Sequence, residues 1–238
     1  MPASNMPEQA ITFLDSVLQL EPKVAVFDCD GTLWSPDAGE GFLDWELKRG
    51  LIAPDVTRWI RARYADYRAG RVPEDVMCGE MVAIHAGLRD QTVEQAAEEY
   101  FACHVEPGIF PEMRELVLRL QQQGCVAWAV SSSNQWIIRV AMERFAIPPQ
   151  RILAAEVAVE NGVITDRLIR IPTGPGKAKA IRETIAESVD AAFGNTRWDA
   201  EMLQLAKHPF AINPTRDFEQ FARKNAWTVY SPNSTRNL

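Results

Sequence analysis

The apolar positions along the chain follow two rhythms. Short, nearly unbroken apolar runs read as strands buried on both faces: residues 23–27 immediately before Asp28, then 125–130, 151–155, 190–193 and 208–212. Residues 157–159 and 163–164 flank Asn161-Gly162, a pair suited to a tight hairpin turn. Between these runs the spacing lengthens to that of helices. Ile11, Leu14, Val17 and Leu18 place a short helix over 8–20, ahead of the first strand. Pro111 and Gly124 bracket a helix over 111–123. Further helices are predicted over 135–145, from about Lys177, and from the loop 194–199 through Leu205.

Residues 36–105 break the alternation. They carry helical patterns over 39–49, 54–69, 73–86 and 92–104, with Gly50, Gly70 and Gly87 as stop signals, and are far too long for a loop between neighbouring strands. The segment predicts an inserted helical cap domain, with 1–35 plus 106–238 forming the core domain. Strands alternating with helices predict an α/β fold with a doubly wound, mostly parallel, Rossmann-like sheet. Such sheets bind ligands at the carboxyl ends of their strands. The loops 28–32, 131–134 and 195–199 fall there, and Lys177, opening a helix, can join them.

Composition narrows the function classes. The 238 residues are 47% hydrophobic and 24% charged, as in a soluble protein with a sizeable core, and a formal charge of −7 argues against nucleic acid or an anionic membrane as partner. Four widely spaced cysteines without a Cys-x-x-Cys pair suggest reduced thiols rather than a disulfide framework or zinc site. Residues 1–7 lack the regions of a signal peptide and no stretch approaches a membrane span, so a cytoplasmic location is expected. The sequon Asn233-Ser234-Thr235 would matter only in a secreted protein. His85, His104 and His208 lack ligand-like spacing. Gly176-Lys177 suggests a phosphate loop, but Ile171 and Ala178 stand where the Walker pattern needs glycine and Ser or Thr.

The chemistry concentrates at the end of the first strand, in Val24-Ala25-Val26-Phe27-Asp28-Cys29-Asp30-Gly31-Thr32-Leu33-Trp34. Carboxylates at the end of a buried strand are costly without a partner. A turn at Gly31 lets the loop curl and bring Asp28 and Asp30 toward one point, where a divalent cation and a phosphate are expected.

The run resembles motif one of the haloacid dehalogenase superfamily, whose phosphatases carry Asp-x-Asp-Gly-Thr after a hydrophobic strand. Further resemblances follow in order: Val130-Ser131 to motif two, Lys177 to the motif-three lysine, and Gly194-Asn195-x-x-x-Asp199 to motif four. The resemblance implies Asp28 as nucleophile, Asp30 as general acid and base, and Lys177 as a catalytic and phosphate-binding cation. Ser131 and Ser132 would hold the phosphate. Mg²⁺ would be held by Asp28, Asp30, Asn195 and Asp199. Asn195 departs from the family pattern, which has Asp there, and an amide supplies oxygen without charge.

The inserted helices and Val105-Glu106-Pro107-Gly108 extend the resemblance to the phosphoserine phosphatase-like branch. In that branch an acidic residue holds the substrate ammonium and an arginine its carboxylate. Asp37, with Glu40 as second candidate, falls at the acidic position, whereas Met81 falls where the arginine belongs. A thioether cannot pair with a carboxylate. The implied activity is a Mg²⁺-dependent phosphomonoesterase acting on a small phosphorylated metabolite through a phospho-aspartate. The expected substrate lacks that carboxylate and is an amino-alcohol phosphate if Asp37 faces the pocket. A phosphate-ligand binding module and a dehalogenase-type hydrolase are the alternatives.

Overall fold

Residues 6–232 are described by the computed structural model; the sequon at 233–235 and the first five residues lie outside them. Seven strands form one sheet: β1 (Val24–Phe27), β2 (Val126–Asn134), β3 (Ile152–Glu160), β4 (Val163–Arg170), β5 (Ala191–Gly194), β6 (His208–Ile212) and β7 (Thr228–Tyr230). Their order is β4-β3-β2-β1-β5-β6-β7, so β1 lies at the centre, parallel to β2 and β5. Only β4 runs antiparallel, against β3. The remaining pairs are parallel.

The helices are α1 (Glu8–Leu18), α2 (Ala38–Arg49), α3 (Pro54–Arg68), α4 (Glu74–Ala83), α5 (Asp90–Tyr100), α6 (Pro111–Gln122), α7 (Gln135–Glu143), α8 (Pro175–Thr184), α9 (Ala200–Leu203) and α10 (Arg216–Lys224). The pleat of β1 sorts them between two faces. Ala25 and Phe27 join a core with Phe13 of α1, Leu116 of α6 and Ile137 of α7. Val24 and Val26 join the other, with Ile181 of α8, Met202 of α9 and Phe218 of α10. A strand buried on both faces needs apolar residues at every position, which is why the run is unbroken.

Helices α2 to α5, the segment predicted to be an insertion, lie between β1 and α6. Part of it is self-contained: Leu43, Leu47, Ile60, Val72 and Met77 make a cluster of their own. Phe42, Val82, Val93, Ala97 and Phe101 instead belong to the main core, so the insertion is packed down on the sheet. After α5 the chain passes through a π-helical stretch, Phe101–Val105, and a 3₁₀ turn before α6.

The structure corrects several expected boundaries. Residues 131–134, read as a loop, stay extended and continue β2, with an irregularity in the pairing to β3. Residues 151–155 and 157–159, read as separate strand pieces, merge into the one strand β3, with Arg151 left outside it in a 3₁₀ turn. Asn161 and Gly162, at φ 53° and 75°, make the expected turn, but β4 continues to Arg170 because pairing supports residues too polar to be read as strand. Helix α10 and strand β7 are additional. The strand has only three residues, and α10 buries just Phe218 and Ala222. The predicted helix through Leu205 contracts to α9 after a 3₁₀ turn. All four cysteines are free thiols, and no described helix is long and apolar enough to cross a membrane.

Candidate active site

The end of β1 builds the site. Asp28 extends the ladder, its N–H donating to the Phe193 carbonyl at 2.9 Å, and the chain then folds sharply as Leu33 donates to Cys29 and Gly31 to Trp34. Gly31 takes φ 76°, and a Cβ there would collide with the Asn195 side chain, so both the turn and its neighbour require glycine. The turn sends the carboxylates to different partners. Asp28 accepts from Thr32 Oγ1 at 2.7 Å and from Lys177 Nζ at 2.6 Å. Asp30 accepts from the Trp34 indole at 2.8 Å, the Ala38 N–H opening α2 at 2.6 Å and Ser133 Oγ at 2.7 Å.

Lys177 arrives from α8. Pro175 occupies the first turn, and Gly176 packs so closely on the Ile171 carbonyl that a Cβ would lie 2.7 Å from it. The ammonium bridges Asp28 Oδ1 and Asp199 Oδ1, each at 2.6 Å, and is buried with both partners. Asp199 Oδ2 accepts from the N–H groups of Asn195 and Thr196 at 2.9 and 3.0 Å. Both Asp199 oxygens are therefore engaged, and Asp199, the metal ligand that the resemblance implied, is not among the residues bordering the cavity beside it.

Burial sets the electrostatics. It pushes the Asp28 carboxyl up to about 6, helped by the Asp199 charge and opposed by Lys177 and Thr32. Burial and then the Asp37 charge push Asp30 up to about 7, against the hydrogen bonds from Ser133 and Ala38. Burial alone would discharge Lys177, but Asp199 and Asp28 outweigh it and hold its pKa above the ordinary lysine value. The result is a fixed cation beside one carboxylate and a second carboxyl poised near neutrality.

Asp28, Asp30, Asp37, Ser132, Lys177 and Asn195 border one cavity of about 240 Å³. Ser131 is buried beneath it, its hydroxyl accepting from the Ser133 N–H at 3.1 Å. Asp37 caps α2 by accepting from the Glu40 N–H at 2.8 Å. Glu40 points elsewhere, toward Arg68 at 3.8 Å, and Met81 packs on the apolar cluster of the insertion. Of the three substrate-contact candidates, only Asp37 borders the cavity. Thr32, Trp34, Ser133 and Trp198 are site residues that had no role assigned from sequence. Thr32 stood within the motif and Ser133 within the serine run, but neither Trp34 nor Trp198 carried a local signal.

Among the described residues no group of three or more His, Cys, Asp or Glu side chains is arranged to hold a metal. The cavity is bordered instead by a mixed set, Asp28, Asp30 and Asn195, two carboxylates and an amide. All offer hard oxygen, the chemistry Mg²⁺ prefers, and a cation that keeps several waters needs few protein ligands. The set fits Mg²⁺ with less negative charge than three carboxylates would supply.

A family description for haloacid dehalogenase-like hydrolases matches residues 25–204. The histidinol-phosphatase of Neisseria meningitidis serogroup C (strain 8013) is 26% identical over 217 residues, 87% of this chain and 97% of its own. The phosphoserine phosphatase SerB1 of Mycobacterium tuberculosis (strain ATCC 25618 / H37Rv) is 26% identical over 86% of this chain and 69% of its own. Among solved structures, a protein of unknown function from Bordetella pertussis Tohama I superposes with a TM-score of 0.77 at 18% identity, covering 87% of this chain and 97% of that one. A phosphoserine phosphatase captured as a phospho-aspartyl intermediate analogue gives 0.57 at 16% identity, covering 88% and 93%. With the motif residues gathered around one cavity and the match running from β1 through α9, the chain belongs to the haloacid dehalogenase-like hydrolases.

Proposed function

We propose that this protein is a Mg²⁺-dependent phosphomonoesterase that hydrolyses a small amino-alcohol phosphate through a phospho-aspartate at Asp28. The observation that carries the reading is the placement of two carboxyls with different partners on one cavity: Asp28 paired with Lys177, and Asp30 held by Trp34, Ala38 and Ser133. The Asp28 carboxylate attacks phosphorus, and the bond to the ester oxygen breaks as Asp30 gives that oxygen a proton. Asp30, now a carboxylate, takes a proton from the water that attacks the phospho-aspartate, which releases phosphate and restores Asp28. Lys177 and Ser132 offset phosphate charge throughout. Mg²⁺, held by Asp28, the Asp30 carbonyl and Asn195, would supply charge neutralisation where carboxylate and phosphate meet. The need is concrete: two unit charges about 4 Å apart repel by about 4 kcal/mol at an effective dielectric of about 20.

Helices α2 to α5 act as the cap of this enzyme, and Asp37 at its base is placed to hold a substrate ammonium. Among the described residues no arginine borders the cavity, which disfavours a substrate carboxylate. The relative named a histidinol-phosphatase supports this class of substrate. Reduced thiols and the net charge support a cytoplasmic enzyme without a nucleic-acid or membrane partner. A dehalogenase needs no second acid, whereas Asp30 is held by three donors.

The test is hydrolysis of a panel of phosphorylated amino alcohols with Mg²⁺ and with chelator, alongside trapping of Asp28 by beryllium fluoride. Turnover that needs Mg²⁺ and vanishes in Asp28→Asn is expected. Full activity in that variant overturns the mechanism, and binding without turnover favours a phosphate-ligand module. Asn195→Asp should lower the Mg²⁺ concentration giving half-maximal rate, since it restores a charged ligand.

A further inference from the structure

A second and larger cavity, about 760 Å³, runs between α4 and the strand β4. Gly79 allows this approach, since a Cβ there would already lie 3.3 Å from Leu168. Trp198 borders both this groove and the catalytic cavity, so the two adjoin at its indole. Thr173, Pro175 and Gly176 wall the groove, and the next residue, Lys177, reaches Asp28. The indole is 48% exposed yet anchored, lying against the backbone of Gly174, where a Cβ would come within 3.2 Å of the ring.

The walls are largely apolar, with Val76, Leu168 and Ile171, but the charges are of one sign. Glu74, Asp75, Glu80 and Asp166 border the groove, and among the described residues no lysine or arginine does. Arg63 answers Glu80 at 2.7 Å. Glu74, Asp75 and Asp166 have no ion-pair partner among the described residues. Glu74 is the informative one. It is half-buried at the end of α4 nearest the site, and its carboxylate accepts from Thr173 Oγ1 at 2.8 Å and Tyr67 at 3.4 Å, both neutral donors. The cation nearest in influence, Lys177, is already shared by Asp28 and Asp199, and a partly desolvated carboxylate with no ion pair of its own favours a cation brought by a ligand. The indole of Trp198, which borders the same groove, offers the same preference.

We propose that this groove receives the leaving group of the substrate, and that Glu74 and Trp198 select one bearing a flat, cationic ring in addition to the amine held at Asp37. The inference rests on the phosphatase reading and deepens it. A phosphate and two or three carbons fill the small cavity; a ring attached to them extends past Trp198 into the groove, where its charge meets Glu74 and its face meets the indole.

The experiment, run at about pH 6, below the ordinary imidazole pKa of about 6.5, compares the wild type, Glu74→Gln and Trp198→Leu on three esters: histidinol phosphate, with a ring that is then cationic; phenyl phosphate, with a neutral ring; and phosphoethanolamine, with an amine and no ring. kcat/KM is measured with Mg²⁺, and Kd for each ester is measured by calorimetry in chelator. Glu74→Gln should lower the ratio of kcat/KM for histidinol phosphate to that for phenyl phosphate at least tenfold. Trp198→Leu should lower the ratio of histidinol phosphate to phosphoethanolamine by a similar factor. The Kd ratios should move in parallel. Ratios within twofold of the wild type in both variants overturn the subsite. If no ester is turned over but Kd still discriminates as expected, the phosphatase reading fails and the subsite stands.

Discussion

Among the described residues two clusters of charge are buried, and only one of them opens onto a cavity. Lys177, Asp28 and Asp199 meet at the carboxyl ends of the central strands, with the Asp28 side of the cluster facing open space. Glu46 of α2 and His85, just after α4, meet inside the insertion at 2.9 Å, 1% and 0% exposed. There His85 Nδ1 lies 3.0 Å from the Val82 carbonyl and the ring lies 4.7 Å from that of Trp136, whose indole donates to Asp90 at 2.7 Å. That second cluster ties α2, α4 and α5 to α7 of the core. A buried ion pair is therefore no mark of a site. What distinguishes the cluster proposed as catalytic is a carboxylate that is paired on one side and borders a cavity on the other.

Breaking the first cluster should have the largest effect. Lys177→Met leaves Asp28 and Asp199 facing each other without a cation, and should cost about 3–5 kcal/mol of stability near pH 7.5 as well as turnover. The loss should shrink as pH falls, because the carboxyls can then take up protons. Urea titrations at pH 5 and 7.5 check this, and a loss under about 1 kcal/mol at the higher pH would mean the two carboxylates are effectively solvated.

Glu46→Gln separates the clusters by function. It should cost about 2–4 kcal/mol near pH 6 while leaving kcat/KM within about twofold at a temperature where both proteins are folded. Burial alone would lower the His85 pKa, but Glu46 outweighs it and raises the folded value. The pair's contribution is therefore full below the ordinary histidine pKa of about 6.5 and is lost as pH rises through the raised folded value. The stability gap between wild type and variant should narrow between pH 6 and 9. A gap that widens with pH would reverse the assignment of charge.

Asp30→Asn should act in opposite directions on stability and activity. A carboxyl raised to about 7 in the folded protein costs stability at pH values above its unfolded pKa, increasingly up to the folded value. Removing that charge should stabilise the metal-free protein by about 1–2 kcal/mol at pH 8, since Ser133 can rotate to accept from the amide. The rate should fall by about 10²–10⁴ with the loss of proton transfer. Thermal melts in chelator and initial rates with Mg²⁺ measure the two.

The smallest effect is expected for Ser133→Ala. Losing one of three donors should cost about 0.5–1.5 kcal/mol and lower the rate severalfold. Because that hydrogen bond holds the Asp30 pKa down, the alkaline limb of the pH–rate profile should move to higher pH. A shift to lower pH would show that Ser133 stabilises the protonated form instead.

What the sequence determined is what neighbouring residues can enforce. The unbroken run into Asp28, the Gly31 turn, the Asn161-Gly162 hairpin and the helices between β1 and β2 follow from side-chain periodicity and turn chemistry within a few residues. The order of the motif loops along the chain followed too, because a parallel sheet gathers the carboxyl ends of its strands on one edge. Tertiary structure decided which groups actually meet. Asp28 pairs with a lysine 149 residues away, and Asp30 with a serine 103 residues away, chosen from three in a row by how β2 continues beyond Val130. Asp199 turned inward because its two oxygens found Lys177 and two backbone N–H groups, and Met81 turned to the insertion's apolar cluster because burial satisfies a thioether. The Glu46–His85 pair, the strand β7 and the position of Trp198 between two cavities carry no local signal. Each depends on the packing of distant segments, which constrains partners through shape and desolvation rather than through spacing along the chain.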